Sequence, residues 1–469
     1  MRGDDIRELQ WRFEMSLSSK LVKHVTYPLW LLKHGEFALL RYGQEFEKLQ
    51  YLSRERLEEL QLRKIKDILI HADKNSRFYN QLFKRSGVSV EAVRNLDDFT
   101  KIPTISKQDI RENLPLFLTQ SFDANELLQS NTGGSTGTPL TFYRDKRCFL
   151  YREAIDIVFN RWLGFEIGDW AGLAWGAGQD VMKNQSLKVK LATLLLHRTF
   201  FLSYEHITPQ SIEAFIGRIK IKKPKLVIAY PNMIYQVARY LTDKKIDDVF
   251  VPSIVCTAEA LFPHQRKLIE VAFHCKVFER YGSREVGTVA SECKYHKGMH
   301  IFSPSVYLEI IKDGKRTKPG EIGEIVITDL LNYGMPFIRY QVGDMGALGD
   351  RECECGRKLP LLEKVLGRTT DAVITSDGTI FAGQALISII RRGDVPARVQ
   401  IVQEEKNHLI VKIVKQKGFE QKHIDYLREE LRKSLGQSMN VTCKYVNDIP
   451  REASGKYRYI ISKVPIKFI

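Results

Sequence analysis

Between residues 52 and 86 apolar and polar positions alternate with the period of a helix. The stretch LSRERLEELQLRKIKDILIHA sets Leu57, Leu60, Ile65, Ile68 and Leu69 on one stripe. Ser53 stands ahead of that stripe as an N-cap, and Glu55 falls in the first turn, where a carboxylate meets the positive end of the helix dipole. The pattern predicts a helical N-terminal region over residues 1–95. From 96 to 366 the rhythm changes. Short apolar runs such as LVIAY (226–230), SIVCT (253–257) and GEIVIT (323–328) alternate with helical stretches such as PHQRKLIEVAFH (263–274). That alternation predicts an α/β domain with mixed or largely parallel sheet. Beyond Gly367 come strands, an amphipathic helix over Glu420–Leu435 and the strand NVTCKYV (440–446). Residues 372–469 therefore read as a small α+β domain, with the boundary at 367–371.

One further stretch, Tyr27 to Tyr42, interleaves Trp30, Leu31, Leu32, Phe37, Leu39 and Leu40 with Lys33, His34 and Arg41. It fits a helical arm packed on the main body, and it also fits a helix lying on a membrane surface.

Composition narrows the class. A chain of 469 residues, 43% hydrophobic and 27% charged, buries a sizeable core without disulfide staples. Its seven cysteines are an odd count, which favours reduced thiols or metal ligation over a disulfide framework. The opening MRGDDIRELQ has no apolar h-region and no window reaches the ~20 apolar residues of a spanning helix. The expected location is cytoplasmic, with the inner membrane surface as the variant that the 27–42 stretch allows. The net charge of +16 is spread: residues 1–95 hold 18 basic and 13 acidic side chains, and 372–469 hold 17 and 10. A diffuse excess draws anionic small molecules and marks no specific nucleic-acid face.

The candidate chemistry starts at SNTGGSTGTP (130–139). Glycines able to adopt positive φ, together with hydroxyl donors, are what a phosphate cradle needs. No GK[ST] follows, and TFYRD reads as a strand, which excludes a Walker loop and a dinucleotide turn. Alone, the loop reads as a flexible turn or linker before it reads as a nucleotide site.

Four further motifs follow it in order: ERYGSREVG (279–287), IRYQVGD (338–344), GRTTD (367–371) and REASGKYR (451–458). With TGGSTGTP they resemble the core motifs of the adenylate-forming enzymes. The resemblance is strongest to the phenylacetate-coenzyme A ligase branch and its relatives encoded with capsular polysaccharide genes. LRKIKDILIHADKNSRFYNQLFKRSG and LDDFTKIPTISKQDIREN, within 62–113, resemble that branch as well, so the likeness covers nearly everything after residue 60.

The resemblance implies a fold and a reaction. An ATP- and acyl-binding domain carries a mobile C-terminal lid, and a carboxylic acid is activated as its acyl-adenylate with release of pyrophosphate. By resemblance Thr132, Gly133, Gly134, Ser135, Thr136, Gly137 and Thr138 wrap the β- and γ-phosphates. Glu285 binds Mg²⁺, a hard cation that prefers oxygen ligands. Asp344 accepts from the ribose hydroxyls, Arg368 contacts ribose or phosphate, and Tyr281, Gly282, Ser283, Ala258 and Glu259 border the nucleotide. Lys456 is the implied catalytic cation. It lies more than three hundred residues after the loop and reaches the α-phosphate only if the lid closes about a hinge at Asp371. One departure stands beside Glu285, where the family usually has Thr or Ser and this chain has Arg284.

CKYHKGMH (293–300) and CECG (353–356) bring three cysteines and two histidines into two short segments. Cys293, His300, Cys353 and Cys355, with His296 as the alternative nitrogen, fit a structural zinc site, and buried free cysteines with a satisfied histidine are the other reading. Cofactors are thus ATP and Mg²⁺, with Zn²⁺ structural and coenzyme A as co-substrate.

Two acceptors stay open: coenzyme A, giving a thioester, or an amine or sugar in surface polysaccharide synthesis. A non-catalytic basic binding protein of the same fold is the competing class. The substrate partner is a small carboxylic acid that the sequence does not name, and neither a monomer nor a homodimer is excluded.

Overall fold

A computed structural model of the chain describes residues 15–132, 139–175, 193–203, 207–368, 371–375, 380–381, 383–393, 395–450 and 457–464. Twelve strands form one sheet. The antiparallel hairpin β1 (Leu127–Asn131) and β2 (Thr141–Asp145) stands apart from it. One half of the large sheet contains β3 (Ala171–Trp175), β4 (Thr199–Ser203), β5 (Leu226–Ala229), β6 (Ser253–Thr257) and β7 (Lys276–Ser283). These run parallel in the order β4-β3-β5-β6-β7. Helices Pro209–Lys222, Pro231–Asp243 and Pro263–Phe273 make the crossovers, each opening on a proline whose missing N–H is not needed in a first turn. Phe215, Met233, Val237, Ile269 and Phe273 pack from these helices onto Val227, Ile254 and Val277.

Beyond β7 every pair in the sheet is antiparallel. The order continues β7-β8-β9-β14-β13-β12-β10-β11, with β8 Gly287–Glu292, β9 Met299–Ile301, β10 Val306–Lys312, β11 Lys315–Arg316, β12 Gly323–Asp329, β13 Tyr340–Gly349 and β14 Leu361–Arg368. The expectation of largely parallel sheet thus holds in one half only. The reason is connection length: three residues join β7 to β8 and two join β10 to β11, far too few for a crossover helix.

The antiparallel half is covered by helices Arg54–Asn75 and Arg77–Ser86, whose Ile65, Ile68, Leu69, Tyr79 and Phe83 meet Ile310, Ile325, Ile327 and Phe337. Ser53 caps the first of them by accepting from the Arg56 amide. The helix expected to run on through residue 86 breaks at Ser76, which is extended and whose hydroxyl donates to the Leu116 carbonyl at 3.0 Å. Ahead of this pair, helical segments Leu17–Leu21, Val22–Thr26, Tyr27–Lys33 and Ala38–Leu49 form an arm. Its Leu31, Leu39 and Phe46 pack on Cys148, Ile155 and Phe159 of helix Lys146–Trp162.

After β14 the chain builds β15 (Val373–Ile374), β16 (Ile380–Phe381), β17 (Ala397–Glu405), β18 (His408–Lys415), β19 (Asn440–Tyr445) and β20 (Ile460–Ser462). A four-stranded sheet of order β19-β18-β17-β20 packs with helices Gly383–Arg392 and Gln421–Leu435 around Val399, Ile401, Val411, Leu427 and Leu431. Phe262 of the large domain joins that core. The whole is a mixed α/β fold with a small C-terminal α+β unit. Among the described residues no helix is long and apolar enough to cross a membrane.

Candidate active site

The C-terminal end of β7 carries Tyr281, Gly282 and Ser283, and the turn beyond it carries Arg284 and Glu285. This end is where parallel strands of an open sheet place ligands. Gly282 is required: a Cβ there would lie 2.4 Å from the Gly287 carbonyl oxygen of the neighbouring strand. The Ser283 hydroxyl accepts from the Val286 amide at 3.3 Å and closes the turn.

The Tyr281 hydroxyl donates to Asp344 Oδ2 at 2.8 Å, from β7 to β13. Burial, then the Asp344 carboxylate, pushes the Tyr281 phenol well above its ordinary value, so it stays a donor at any physiological pH. Glu285 raises the same phenol further and Arg368 opposes it, both through charge. Arg368 sits opposite Asp344 in the β13–β14 register.

Glu285 is buried. Its Oε1 accepts from the Tyr340 hydroxyl at 3.0 Å and lies 3.7 Å from Lys107 Nζ. Beneath it, Arg152 holds the backbone: the guanidinium donates to the Glu285 carbonyl at 2.7 Å and to the buried Asp329 carboxylate at 2.6 Å. Gly287, at φ +76°, makes room for that arginine, since a Cβ would meet Arg152 Cδ at 2.8 Å. The sequence reading found none of Lys107, Tyr340 and Arg152. Tyr340 lies in IRYQVGD and Lys107 in ISKQDIREN, stretches quoted for other residues; Arg152 gave no signal, being one arginine in an amphipathic helix.

Arg284, the departure from the family pattern, donates to the Asn131 carbonyl at 3.2 Å, at the mouth of the glycine-rich loop. Thr132 closes the base of that loop: its amide donates to the Leu140 carbonyl and its hydroxyl accepts from the Leu140 amide, both at 2.9 Å. Gly133, Gly134, Ser135, Thr136, Gly137 and Thr138 lie outside the described residues, as does Lys456.

After β6, Ala258 is exposed at φ +66°, a left-handed conformation that costs an alanine on the order of 1 kcal/mol and tends to occur at functional turns. Glu259 accepts from the Asn232 side-chain amide at 2.9 Å at the start of helix Pro231–Asp243, a contact that serves the helix N-terminus. Asp371 pairs with Arg458 of the C-terminal unit, with Arg458 Nε at 3.0 Å, and its backbone carbonyl lies 2.2 Å from where a Cβ of Gly383 would stand.

The cysteine segments converge. Ligand atoms of Cys293, His300, Cys353 and Cys355 all lie within 4.8 Å of one another. Cys293 Sγ is 3.6 Å from Cys353 Sγ, and Cys355 Sγ is 3.3 Å from His300 Nε2. A tetrahedron of zinc–sulfur and zinc–nitrogen bonds has edges of about 3.5–3.8 Å; these two contacts lie near that spacing, and thiolate and imidazole donors of this kind suit the ion. Burial, then Arg357, lowers His300 to about 4, which keeps the imidazole neutral as a ligand requires. Burial lifts the Cys293 thiol to about 12. Burial also lifts Cys355, but the Arg357 amide and guanidinium outweigh it and hold that thiol below its usual value. His296 lies apart from the four. It stacks on Phe278 and faces Glu292 Oε2 at 3.3 Å, because the strand β9 turns His300, and not His296, toward β14.

The site thus gathers a buried carboxylate just beyond β7, a second carboxylate bound to a tyrosine across the sheet, and an arginine on β14 opposite that carboxylate. A 2-hydroxyisobutyryl-CoA ligase solved in its postadenylation state superposes with a TM-score of 0.69 at 17% identity, covering 88% of this chain and 91% of that one. That likeness is one of fold; in sequence the chain is similar to CapK and to phenylacetate-coenzyme A ligases. Residues 373–463 match the family described as CapK C-terminal domain. Protein CapK of Staphylococcus aureus is 26% identical over 431 residues, covering 90% of this chain and 92% of CapK. Phenylacetate-coenzyme A ligase of Escherichia coli is 25% identical over 429 residues, with coverage of 87% and 95%.

Proposed function

We infer that the chain is an AMP-forming acid ligase that activates a small carboxylic acid with ATP and passes the acyl group to a thiol, coenzyme A. The observation that carries this reading is the Tyr281 phenol bound to Asp344 at 2.8 Å, with Arg368 opposite that carboxylate on the paired strand and the buried Glu285 in the turn just beyond β7. The relatives named as coenzyme A ligases support it.

Activation brings two anions together, and the site answers with cations and donors. Asp344, oriented by Tyr281, offers oxygens to a ribose diol. Glu285 is the hard oxygen ligand for Mg²⁺, which when bound neutralises phosphate charge. Lys107 stands beside Glu285 and Arg284 beside the base of the loop, two cations suited to phosphate charge. Thr132 to Thr138 grip the β- and γ-phosphates, and Lys456 closes on the α-phosphate when the C-terminal unit swings about Asp371. The four-ligand cluster holds zinc and fastens the segment after β8 to the segment before β14, keeping Glu285 and Asp344 in register.

Pyrophosphate release on addition of the right acid, found by an ATP–pyrophosphate exchange screen across aryl, fatty and amino acids, tests the reading. Lys456→Ala abolishes the exchange; exchange at the wild-type rate in that variant refutes the role of Lys456. A second reading keeps the adenylate and changes the acceptor to an amine or sugar, which the resemblance to relatives encoded with capsular polysaccharide genes implies. Mass spectrometry of products with coenzyme A and with amine acceptors separates thioester from amide.

A further inference from the structure

The outer face of the N-terminal arm is apolar and faces solvent. Leu17–Leu21, Val22–Thr26 and Tyr27–Lys33 follow one another without a break. Leu17, Leu21, Val25, Leu29 and Leu32 recur at intervals of four, four, four and three, and Phe37 stands just beyond. Leu17 is 86% exposed, Leu29 61% and Leu32 63%. An α-helix alone would let residues four apart drift around its surface. The π-type turn at Val22–Thr26 holds more residues per turn and offsets that drift, keeping the stripe on one side.

The opposite face is fixed to the body. Ser19, Val22 and Leu31 are buried, the Thr26 hydroxyl donates to the Leu195 carbonyl at 2.6 Å, and Lys23 pairs with Glu166 at 3.1 Å. Gly168 is needed for this seat, since a Cβ there would lie 2.4 Å from the Ser19 carbonyl oxygen. The 27–42 stripe read from the sequence is therefore divided. Leu31 and Leu39 are buried and Trp30 half-buried, while Leu32 and Phe37 join an exposed stripe that runs back to Leu17.

Charge selects the occupant. From residue 16 to 37 the half-buried Glu36 is the one acidic side chain, and Lys20 and Lys33, with His24 and His34, flank the leucines at the exposed surface. Apolar side chains rimmed by amines on a helix lying flat are matched by an anionic bilayer surface, where leucines enter the acyl boundary and lysines reach back to phosphates. We propose that the arm docks the protein on an anionic lipid membrane through Leu17, Leu21, Val25, Leu29, Leu32 and Phe37. Because the arm is held to the body, docking would bring the ligase itself to the bilayer surface. An acid or acceptor of amphiphilic or lipid-linked character is then within reach of the site.

Co-sedimentation of the full chain with vesicles tests this. One set is phosphatidylglycerol mixed with phosphatidylethanolamine, the other phosphatidylcholine alone. Expected is binding to the anionic vesicles that weakens with salt. Leu21→Gln/Leu29→Gln lowers it at least ten-fold and leaves the Tm and ATP–pyrophosphate exchange unchanged. Lys20→Gln/Lys33→Gln lowers it roughly 25-fold, at about five-fold per basic residue. The proposal is overturned by absence of binding at low salt, or by binding that the leucine variant leaves intact. A wild-type dimer that this variant converts to monomer in sedimentation velocity overturns it too, since a second copy then covers the stripe. Binding that appears only after removal of residues 1–14 assigns the stripe to the chain's own N-terminus and is equally fatal.

Discussion

Replacing Arg152 by methionine separates what holds Glu285 in place from what merely fills the core. The arginine is buried in helix Lys146–Trp162 and bridges the Glu285 carbonyl at 2.7 Å to the fully buried Asp329 carboxylate at 2.6 Å. Methionine fills much of the volume and leaves Asp329, among the described residues, with the Leu331 amide 2.9 Å from its Oδ1 as donor. Removing one partner of a buried ion pair costs about 3–5 kcal/mol, because the surviving charge is uncompensated. At ~2.1 cal/mol/K of unfolding entropy per residue over roughly 350 residues, ~4 kcal/mol lowers the Tm by about 5 °C. The sign of the pH dependence follows. Burial already raises the Asp329 carboxyl, opposed chiefly by Arg152. Without the arginine its folded pKa rises further above the unfolded value, so its contribution is present at low pH and lost as pH rises. The deficit in Arg152→Met is therefore larger at pH 8 than at pH 6, measured by calorimetry at both. The double variant Arg152→Met/Asp329→Leu recovers stability to within ~1–2 kcal/mol, since an apolar pair of similar volume replaces an ion pair at little cost. ATP–pyrophosphate exchange does not recover with it, staying at least ten-fold down because the Glu285 carbonyl still lacks its donor. A double variant as unstable as the single one, or a single variant with wild-type exchange, refutes the account.

Three other perturbations are as direct. The purified chain carries about one zinc by elemental analysis, Cys355→Ser loses it, and chelation lowers the Tm; metal-free protein of unchanged Tm rules out the structural ion. Tyr281→Phe removes a hydrogen bond to a carboxylate, a contact of about 1.5–3 kcal/mol, so KM for ATP rises at least ten-fold with little change in Tm, and an unaltered KM removes Tyr281 from the nucleotide site. Burial, then Asp344, raises Glu324 to about 7. Its stabilising contribution is present below the unfolded carboxylate range and lost as pH rises through about 7, so Glu324→Gln flattens the fall in Tm between pH 5 and 8 and gains about 1–2 kcal/mol at pH 8; a variant whose Tm falls like the wild type contradicts it.

What the sequence could disclose follows from range. Local periodicity is a property of neighbours, so the Ser53 cap, the crossover helix at Pro263–Phe273 and the runs that became β5 and β6 were legible. Strand direction is not local. The half-sheet after β7 read as part of an α/β alternation, and only the shortness of its connections, visible once the strands are paired, makes it antiparallel. The motifs were legible because each packs several functional types into a few positions: YGSRE carries Tyr281 and Glu285, and VGD carries Asp344. Arg152 is the opposite case. Its partners lie 133 and 177 positions away, and along its own helix it is one charged residue among several. A pattern of neighbours has no means of marking it, although the folded chain commits a buried ion pair and a left-handed glycine, Gly287, to keeping it there. A fold that spends desolvated charge on one peptide carbonyl gains little net stability from it, since a buried pair roughly breaks even against an apolar one. The return has to be positional, and the group so positioned is the carboxylate of Glu285.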